Sequence, residues 1–226
     1  MTEEVQQQVN ESGIEIKDIV IGMLIAIFMA LCIRIMVGEV LHVPSNSMEP
    51  SLLIGDNLLV SKIAYAIGPV GDIMGIRLPD QSRIWISVPK KNDIIVFRPP
   101  ASALPPGTEP VLFVKRVIAG PRDEHPVTGD VIPAKGMVIS SNSILASMLK
   151  MIKDPGTVSG NTYIVGEDYF YVLGDNRNQS YDSQDWGLIP ASSIIGKAVM
   201  ILWSNQYDTI NHTSSLRTSR FFQFCK

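Results

Sequence analysis

One uninterrupted apolar stretch near the amino end constrains the fold of this chain more than any other feature. Residues 19–38 read IVIGMLIAIFMALCIRIMVG, and Arg34 is the one charged residue among them. A helix of about 20 residues is about 30 Å long, which matches the hydrocarbon core of a bilayer. Arg34 lies near one end of the stretch, where its long side chain can reach the membrane interface. The stretch therefore predicts a membrane-spanning anchor.

Two other interpretations of this stretch fit less well. A removable signal peptide has a basic amino end, whereas the residues before the stretch are mostly acidic and Lys17 is their only positive charge. A helix buried in a protein core usually carries more polar residues over such a length. Charge does not determine the orientation, because Lys17 and Arg34 nearly balance across the stretch.

Beyond His42 the pattern changes to short runs of β-branched and aliphatic residues separated by Gly, Pro, Asn and Asp. Such runs are typical of strands in an all-β domain. The predicted strands cover residues 58–60, 94–97, 112–118, 137–140, 163–165, 169–173 and 198–203. We expect a mainly β fold in which a coiled antiparallel sheet closes into a barrel-like domain.

Two segments depart from the strand pattern. Residues 144–152 place apolar side chains on one helical face, and Pro155-Gly156 ends the run, which predicts a short amphipathic helix. We expect this helix to pack on the sheet, and a position on a membrane surface is the alternative. Residues 68–92 are rich in Gly and Pro and predict a long excursion between two strands.

Composition excludes several classes of function. A chain of 226 residues is short for two independent enzyme domains, so one catalytic domain is expected. The net charge of −3 argues against nucleic-acid binding. Cys32 and Cys225 imply no disulfide framework, and the three histidines have no neighbours that would complete a metal site. The serine-hydrolase elbow G-x-S-x-G and the zinc motif H-E-x-x-H are both absent from the sequence.

Three segments carry the residue types from which a catalytic site could be built. The first, VPSNSMEPSLLIGD at 43–56, sets two serines around Asn46 in a Pro-flanked turn, which by itself indicates only a turn. The second is FVKRVIAGP at 113–121, and the third is GDNRNQSYDSQDWG at 174–187.

Taken together, these segments resemble the bacterial type I signal peptidases, or leader peptidases, which are Ser-Lys serine endopeptidases. The family's motifs appear in the family's order, directly behind the apolar stretch. They are Pro44-Ser45-Asn46-Ser47-Met48 with Pro50-Ser51-Leu52 and Gly55-Asp56, then Asn92-Asp93-Ile94-Ile95-Val96-Phe97, then Lys115-Arg116-Val117, then the run from Gly174 to Ser183. The resemblance covers residues 19 to about 203.

The resemblance implies that Ser47 is the nucleophile and Lys115 its general base. The chemistry needs such a pair, because a serine hydroxyl is a weak nucleophile until a neighbouring base removes its proton. A lysine can be that base only when it is neutral, and burial lowers a lysine pKa in this way. The apolar neighbours Phe113, Val114 and Val117 fit a buried strand position for Lys115.

Six further residues receive roles from the same resemblance. Ser45 matches a serine whose hydroxyl helps to bind the oxyanion, and Ser180 matches a serine that orients the lysine amine. Structural support of the site is expected from Asp175, Asn176, Arg177 and Asp182.

The resemblance also implies the setting in which the chain acts. Residues 1–18 would be a cytoplasmic tail, 19–38 the transmembrane anchor, and 39–226 a β-rich peptidase domain in which 119–168 is an inserted subregion. The chain would cross the bacterial inner membrane once, with its catalytic domain on the periplasmic side. It would need no cofactor or metal and would cleave secretory preproteins whose signal peptides carry small residues before the cut. Membrane lipid is thus an expected partner and nucleic acid is not.

Three departures from the family pattern concern the site. Asn46 replaces a glycine, Gln184 stands where an arginine often pairs with Asp182, and Arg122 follows Pro121 where a glycine is usual. If position 46 required a positive φ, asparagine would be the best substitute for glycine.

Two rival functions follow from these observations. A catalytically inactive, membrane-anchored binding protein of the same fold is the alternative that the Asn46 and Gln184 departures favour. A repressor-type Ser-Lys autoprotease would carry a DNA-binding domain where this chain has its apolar stretch. Signal peptidases of the eukaryotic type use a histidine base, and Lys115 argues against that branch.

Overall fold

A curled antiparallel sheet dominates the structure, which is a computed structural model. It describes residues 16–36, 38–68, 72–73, 76–77, 83–104, 111–208 and 213–226. The helices are α1 (Ile16–Met36), α2 (Ile144–Met151) and α3 (Ser183–Trp186). The strands are β1 (Gly38–His42), β2 (Asp56–Ser61), β3 (Ala66–Ile67), β4 (Asp72–Ile73), β5 (Ile76–Arg77), β6 (Ile84–Trp85), β7 (Ile94–Phe97), β8 (Phe113–Ala119), β9 (Val138–Ser140), β10 (Thr157–Ser159), β11 (Thr162–Ile164), β12 (Tyr169–Leu173), β13 (Ile189–Pro190), β14 (Ile194–Asp208), β15 (Thr213–Leu216) and β16 (Gln223–Phe224).

The main sheet forms a half-barrel, which confirms the mainly β prediction. Its described strands follow the order β1-β2-β14-β7-β8-β12-β13, and β15 and β16 also pair with β14. All of these pairings are antiparallel. The long strand β14 is the centre of the sheet, because two register shifts against β2 let it bend and contact partners along its whole length.

The apolar stretch is helical, but its bounds differ from those predicted. Helix α1 ends at Met36, and Gly38 already pairs with Ser61 as the first residue of β1. A Cβ on Gly38 would lie 2.8 Å from the carbonyl oxygen of Val60. Glycine therefore lets the backbone of β1 approach β2 this closely at its first residue. Within the part of the chain that the structure describes, no helix has both the length and the apolar character that a membrane span requires.

The core of the half-barrel is apolar and continuous with the turn that precedes β2. Met48 and Leu52 of this turn are 1% and 0% exposed, and they pack with Leu58, Val60 and Ile195 from the strands. Burial of each such side chain contributes about 2 kcal/mol. The turn is therefore held rigidly against the sheet although it has no regular secondary structure.

A smaller unit lies in the segment between β8 and β12. Strands β10, β11 and β9 form a three-stranded antiparallel sheet, and α2 packs beside it. The prediction that the 144–152 helix packs in the protein is confirmed, because Ala146 and Leu149 are buried with Tyr163 and Val165. Ser143 caps this helix by accepting a hydrogen bond from the Ala146 N–H.

The excursion predicted at 68–92 falls partly on residues outside the described ranges. The described parts are not wholly irregular: β3 pairs with β6 and β4 pairs with β5. Beside them Arg83 donates to the main-chain oxygens of Lys62 and Ile194, which ties the end of the excursion to the main sheet.

Candidate active site

Ser47 lies in the turn between β1 and β2, immediately before the buried Met48. The next turn of the chain closes with a hydrogen bond of 2.9 Å from the Leu52 N–H to the Met48 carbonyl. The backbone of Ser47 is held from the other side, because its carbonyl accepts a 3.1 Å hydrogen bond from the Asn176 N–H. The serine hydroxyl thus sits on a backbone that is fixed on both sides.

Lys115 projects from the middle of β8 toward this serine. Burial alternates along the strand, and Lys115 occupies one of its buried positions with 4% exposure. Its neighbour across the sheet is Ile95 of β7. A hydrogen bond of 2.8 Å joins Lys115 Nζ to Ser47 Oγ. The structure therefore brings together the two residues that the resemblance paired across 68 positions of sequence.

The electrostatic surroundings of Lys115 act in two directions. Burial lowers the pKa of the amine, because desolvation penalises the charged form, whereas the charges of Asp182 and Asp175 oppose that change. Desolvation is the larger effect, and the pKa of Lys115 lies below the ordinary lysine value of 10.5. A neutral amine at hydrogen-bond distance can accept a proton from a serine hydroxyl.

Ser180 and Asp182 lie in one turn, and the charge of Asp182 acts on the Lys115 amine. Asp182 is 0% exposed and caps α3, and its carboxylate accepts hydrogen bonds from the Ser180 hydroxyl at 2.6 Å and from the Gly174 N–H at 2.9 Å. The Ser180 hydroxyl therefore donates to Asp182, while the hydrogen bond described for the Lys115 amine is the one to Ser47. Asp182 fixes the rotamer of Ser180 in this arrangement.

Asp175 braces the strand of the lysine from the opposite end of the same turn. Its two carboxylate oxygens accept from Nε and Nη2 of Arg116, both at 2.7 Å, in a bidentate pair. Burial alone would raise the pKa of Asp175, but the hydrogen bonds from Arg116 and Ser51 hold it below its usual value. Arg177 is exposed, and its charge also favours the ionised form of Asp175.

The Ser45 hydroxyl and the Ser47 N–H both lie beside the Ser47 hydroxyl. Ser45 is exposed, and its hydroxyl oxygen lies 3.4 Å from Ser47 Oγ. Among the described residues no protein acceptor engages the Ser47 N–H. A hydroxyl and a free N–H beside a nucleophile can donate to an oxyanion.

The departures from the family pattern leave this geometry in place. The described non-glycine residues with positive φ are Asn92, Arg122, Lys153 and Phe222, so position 46 does not need the freedom of glycine. The Asn46 side-chain amide instead contacts the side chain of Gln179, and the Asn46 main-chain carbonyl accepts a 3.2 Å hydrogen bond from the Asn176 side-chain amide.

The other two departures have different consequences. Gln184 keeps a polar contact with Asp182, since its side-chain amide lies 3.4 Å from the carboxylate. Arg122, by contrast, occupies the left-handed region with φ 68°, where glycine would be unstrained.

Sequence reasoning assigned no individual role to Arg116 or Gly174. Arg116 directly follows the lysine and reaches Asp175, Ser51 and the carbonyl of Asn92. Gly174 is buried between Ser180 and the Ser47 carbonyl, and a Cβ there would clash with both. The sequence does offer a signal for both, because Arg116 and Gly174 are each adjacent in sequence to a predicted site residue.

Within the described ranges, no three His, Cys, Asp or Glu residues lie close enough together to hold a metal ion.

Comparisons with known proteins agree with this geometry. Residues 16–203 match the family model described as signal peptidase, peptidase S26. The chain belongs to the signal peptidase family. The chain is 34% identical to the probable signal peptidase I-2 of Synechocystis sp., across 80% of this chain and 70% of that protein. It is 35% identical to signal peptidase I of Leptolyngbya laminosa, across 79% of this chain and 75% of that protein.

A chloroplast protein is among the other relatives. The probable thylakoidal processing peptidase 2 of Arabidopsis thaliana is 28% identical across 83% of this chain and 44% of that protein. Membership of the signal peptidase family makes this chain a peptidase that removes signal peptides. Nothing in these comparisons favours the inactive binding protein.

Proposed function

We propose that this signal peptidase is a membrane-attached serine endopeptidase in which Ser47 is the nucleophile and Lys115 the general base. The proposal rests on one observation, the 2.8 Å hydrogen bond between Lys115 Nζ and Ser47 Oγ with the lysine 4% exposed. Burial lowers the pKa of the Lys115 amine and so favours the neutral form that the reaction needs.

The reaction proceeds through an acyl-enzyme. Ser47 Oγ attacks the carbonyl carbon of the scissile peptide bond while Lys115 Nζ takes the hydroxyl proton, and the oxyanion is bound by the Ser45 hydroxyl and the Ser47 N–H. Lys115 then gives its proton to the leaving nitrogen, and the mature protein departs. Water attacks the acyl carbon while Lys115 accepts a proton from the water. The bond between the acyl carbon and Ser47 Oγ then breaks, Lys115 returns the proton to Ser47 Oγ, and the signal peptide leaves with a new carboxyl end.

The substrate binds as an extended strand along β8. On one side β8 pairs with β7 from Phe113 to Arg116, but on the other side β12 covers it only from Arg116 to Ala119. The edge of β8 next to Lys115 is therefore open among the described strands, and an extended peptide can pair with it. The family resemblance implies that these substrates carry small residues before the cut.

Attachment to a membrane is supported by the surface of α1. All described side chains of this helix, residues 16–31, are exposed, and most of them are apolar. Apolar surface left in water is unfavourable by about 25 cal/mol per Å², so lipid is the natural partner of this helix. The bacterial plasma membrane, a single pass and a periplasmic catalytic domain remain predictions, as do the divisions at 1–18, 19–38, 39–226 and 119–168.

Cleavage of a preprotein whose signal peptide ends in Ala-x-Ala tests the site. We expect Ser47→Ala and Lys115→Ala to lose at least about a thousandfold in kcat with the fold intact. Ser147→Ala and Lys150→Ala are matched controls, because they make the same changes at exposed positions of α2 and should cleave like the wild type. Activity retained by Ser47→Ala or Lys115→Ala would refute the assignment.

Retention in the membrane fraction after a carbonate wash tests the attachment. We expect the wild-type chain to sediment with membranes and the variant Ile21→Asp/Phe28→Asp to be released, because both side chains are exposed apolar groups of α1. A wild-type chain found in the supernatant would contradict the attachment.

A further inference from the structure

We propose that residues 213–226, here called the tail, are a positioning clamp. The clamp holds residues 43–56, here called the nucleophile turn, against the strand of the general base. The inference rests on the proposed roles of Ser47 and Lys115. The tail lies along β14: β15 pairs with residues 205–208 and β16 with Met200 and Ile201. The Cys225 N–H extends this contact by donating to the Val199 carbonyl at 2.9 Å.

Arg220 makes the strongest contact between the tail and the nucleophile turn. Its guanidinium donates to both oxygens of Asp56, at 3.0 and 2.6 Å, and to the carbonyl of Ser51 at 3.0 Å. Asp56 is 0% exposed, and burial alone would raise its pKa, but hydrogen bonds from Arg220 and the Leu53 N–H keep it below its usual value. The carboxylate therefore stays ionised, and the pair is a charge-assisted bidentate bond.

Arg217 makes a second contact three residues earlier in the tail. It donates to the carbonyl of Ile54 at 2.9 Å and to the hydroxyl of Ser204 at 3.0 Å. Its own N–H donates to the Ser204 carbonyl at 2.9 Å, which fixes the arginine to β14. Two arginines of the tail thus bind three groups of the segment 51–56.

These contacts act close to the reacting atoms without touching them. Only three residues separate Ser47 from Ser51, and the buried Met48 and Leu52 make the intervening turn rigid. A displacement at Ser51 is therefore transmitted to Ser47.

The tail also reaches the strand of the lysine. Arg116 donates to the carbonyl of Lys226 at 2.9 Å and to the hydroxyl of Ser51 at 3.2 Å. Because Arg116 directly follows Lys115, one guanidinium connects the tail, the nucleophile turn and the general-base strand. The clamp thereby sets the separation of Ser47 Oγ and Lys115 Nζ.

Steady-state cleavage by full-length variants tests the clamp. We expect Arg217→Met and Arg220→Lys to lower kcat about tenfold with KM unchanged, because misplacement by a fraction of an ångström lowers the rate without altering substrate contacts. Arg122→Met is the control: it removes the same charge from an exposed position that makes no described contact with the nucleophile turn. Assays are run well below the unfolding temperature of each variant and expressed per folded molecule.

Hydrogen exchange supplies a local readout that general destabilisation would not give. We expect the Leu52 N–H to exchange faster in Arg217→Met while the amides of β12 keep their wild-type rates. The described acceptor of Arg217 in the nucleophile turn is the uncharged Ile54 carbonyl, so this variant remains informative if Arg220→Lys unfolds.

The outcomes separate the clamp from the proposed function. Wild-type kcat per folded molecule in Arg217→Met, with unchanged exchange at Leu52, would overturn the clamp while Ser47→Ala still abolished cleavage. Equal cleavage by wild type and Ser47→Ala would instead overturn the proposed function.

Discussion

Replacement of Gly174 by alanine is expected to lower kcat strongly, although Gly174 carries no side chain. A Cβ at this position would lie 2.6 Å from the Ser180 Cβ and closer still to the Ser180 hydroxyl and the Ser47 carbonyl. Ordinary van der Waals contact begins at 3.4 Å, so the Ser180 Cβ must move by about 0.8 Å and the Ser47 carbonyl oxygen, which lies nearer to the added Cβ, by about 1.0 Å.

The magnitude follows from this displacement. Misplacement of a catalytic group by about 1 Å lowers a rate about a hundredfold, so we expect kcat to fall between about 30-fold and 100-fold. Overpacking of the same kind lowers the free energy of unfolding by about 1–3 kcal/mol. In the wild type, the hydrogen bond from the Asn176 N–H to the Ser47 carbonyl fixes the backbone of the nucleophile. The added methyl group strains this contact most directly.

Preprotein cleavage and denaturant unfolding measure the two effects. Gly120→Ala is the matched control, because a Cβ there would meet Phe170 at 3.4 Å, an ordinary contact, and should leave kcat unchanged. If Gly174→Ala is folded and its kcat stays within threefold of the wild type, the proposed packing of Ser47 against Gly174 is wrong.

Three further predictions concern pH, strain and the smaller unit. The value of kcat/KM should rise with pH through one ionisation centred below 10.5, since burial lowers the pKa of Lys115 and only the neutral amine accepts a proton; a midpoint at or above 10.5 would contradict this. Arg122→Gly should raise the free energy of unfolding by about 0.5–1 kcal/mol in denaturant titration, because φ 68° strains arginine, whereas Arg122→Ala should not raise it. Asp154→Ala should lower the free energy of unfolding by about 2–4 kcal/mol with kcat per folded molecule unchanged, because it removes the acceptor of the Tyr163 and Tyr169 hydroxyls and makes no described contact with Ser47 or Lys115; unchanged stability would refute that role.

The central strands could be predicted from sequence because their signal is local. Strands β7 and β12 have the predicted bounds, since each is a short continuous run of aliphatic and aromatic residues that is buried throughout. Strand β14 was predicted only at 198–203, and its polar end at 205–208 was missed because those residues become a strand by pairing with β15. No periodicity in those residues indicates a partner that lies further along the chain.

The residues of the site could be predicted from motifs, whereas the contacts between them depend on tertiary structure. Ser47, Lys115, Ser180 and Asp182 were found through motifs, but no spacing rule predicts that β8 carries the lysine to within 2.8 Å of the serine. The bond between Arg220 and Asp56 joins residues 164 positions apart, and the sequence alone gives no reason to pair them. Contacts of this kind depend on the curvature of the whole sheet.

Detection of the acyl-enzyme tests the central claim most directly. The enzyme is mixed with a peptide ester that carries a signal-peptide end, quenched in acid during turnover, digested and analysed by mass spectrometry. We predict an added acyl mass on the peptide that contains Ser47, and no such adduct in Ser47→Ala. Turnover at the wild-type rate by Ser47→Ala, or an adduct on another residue, would contradict the account.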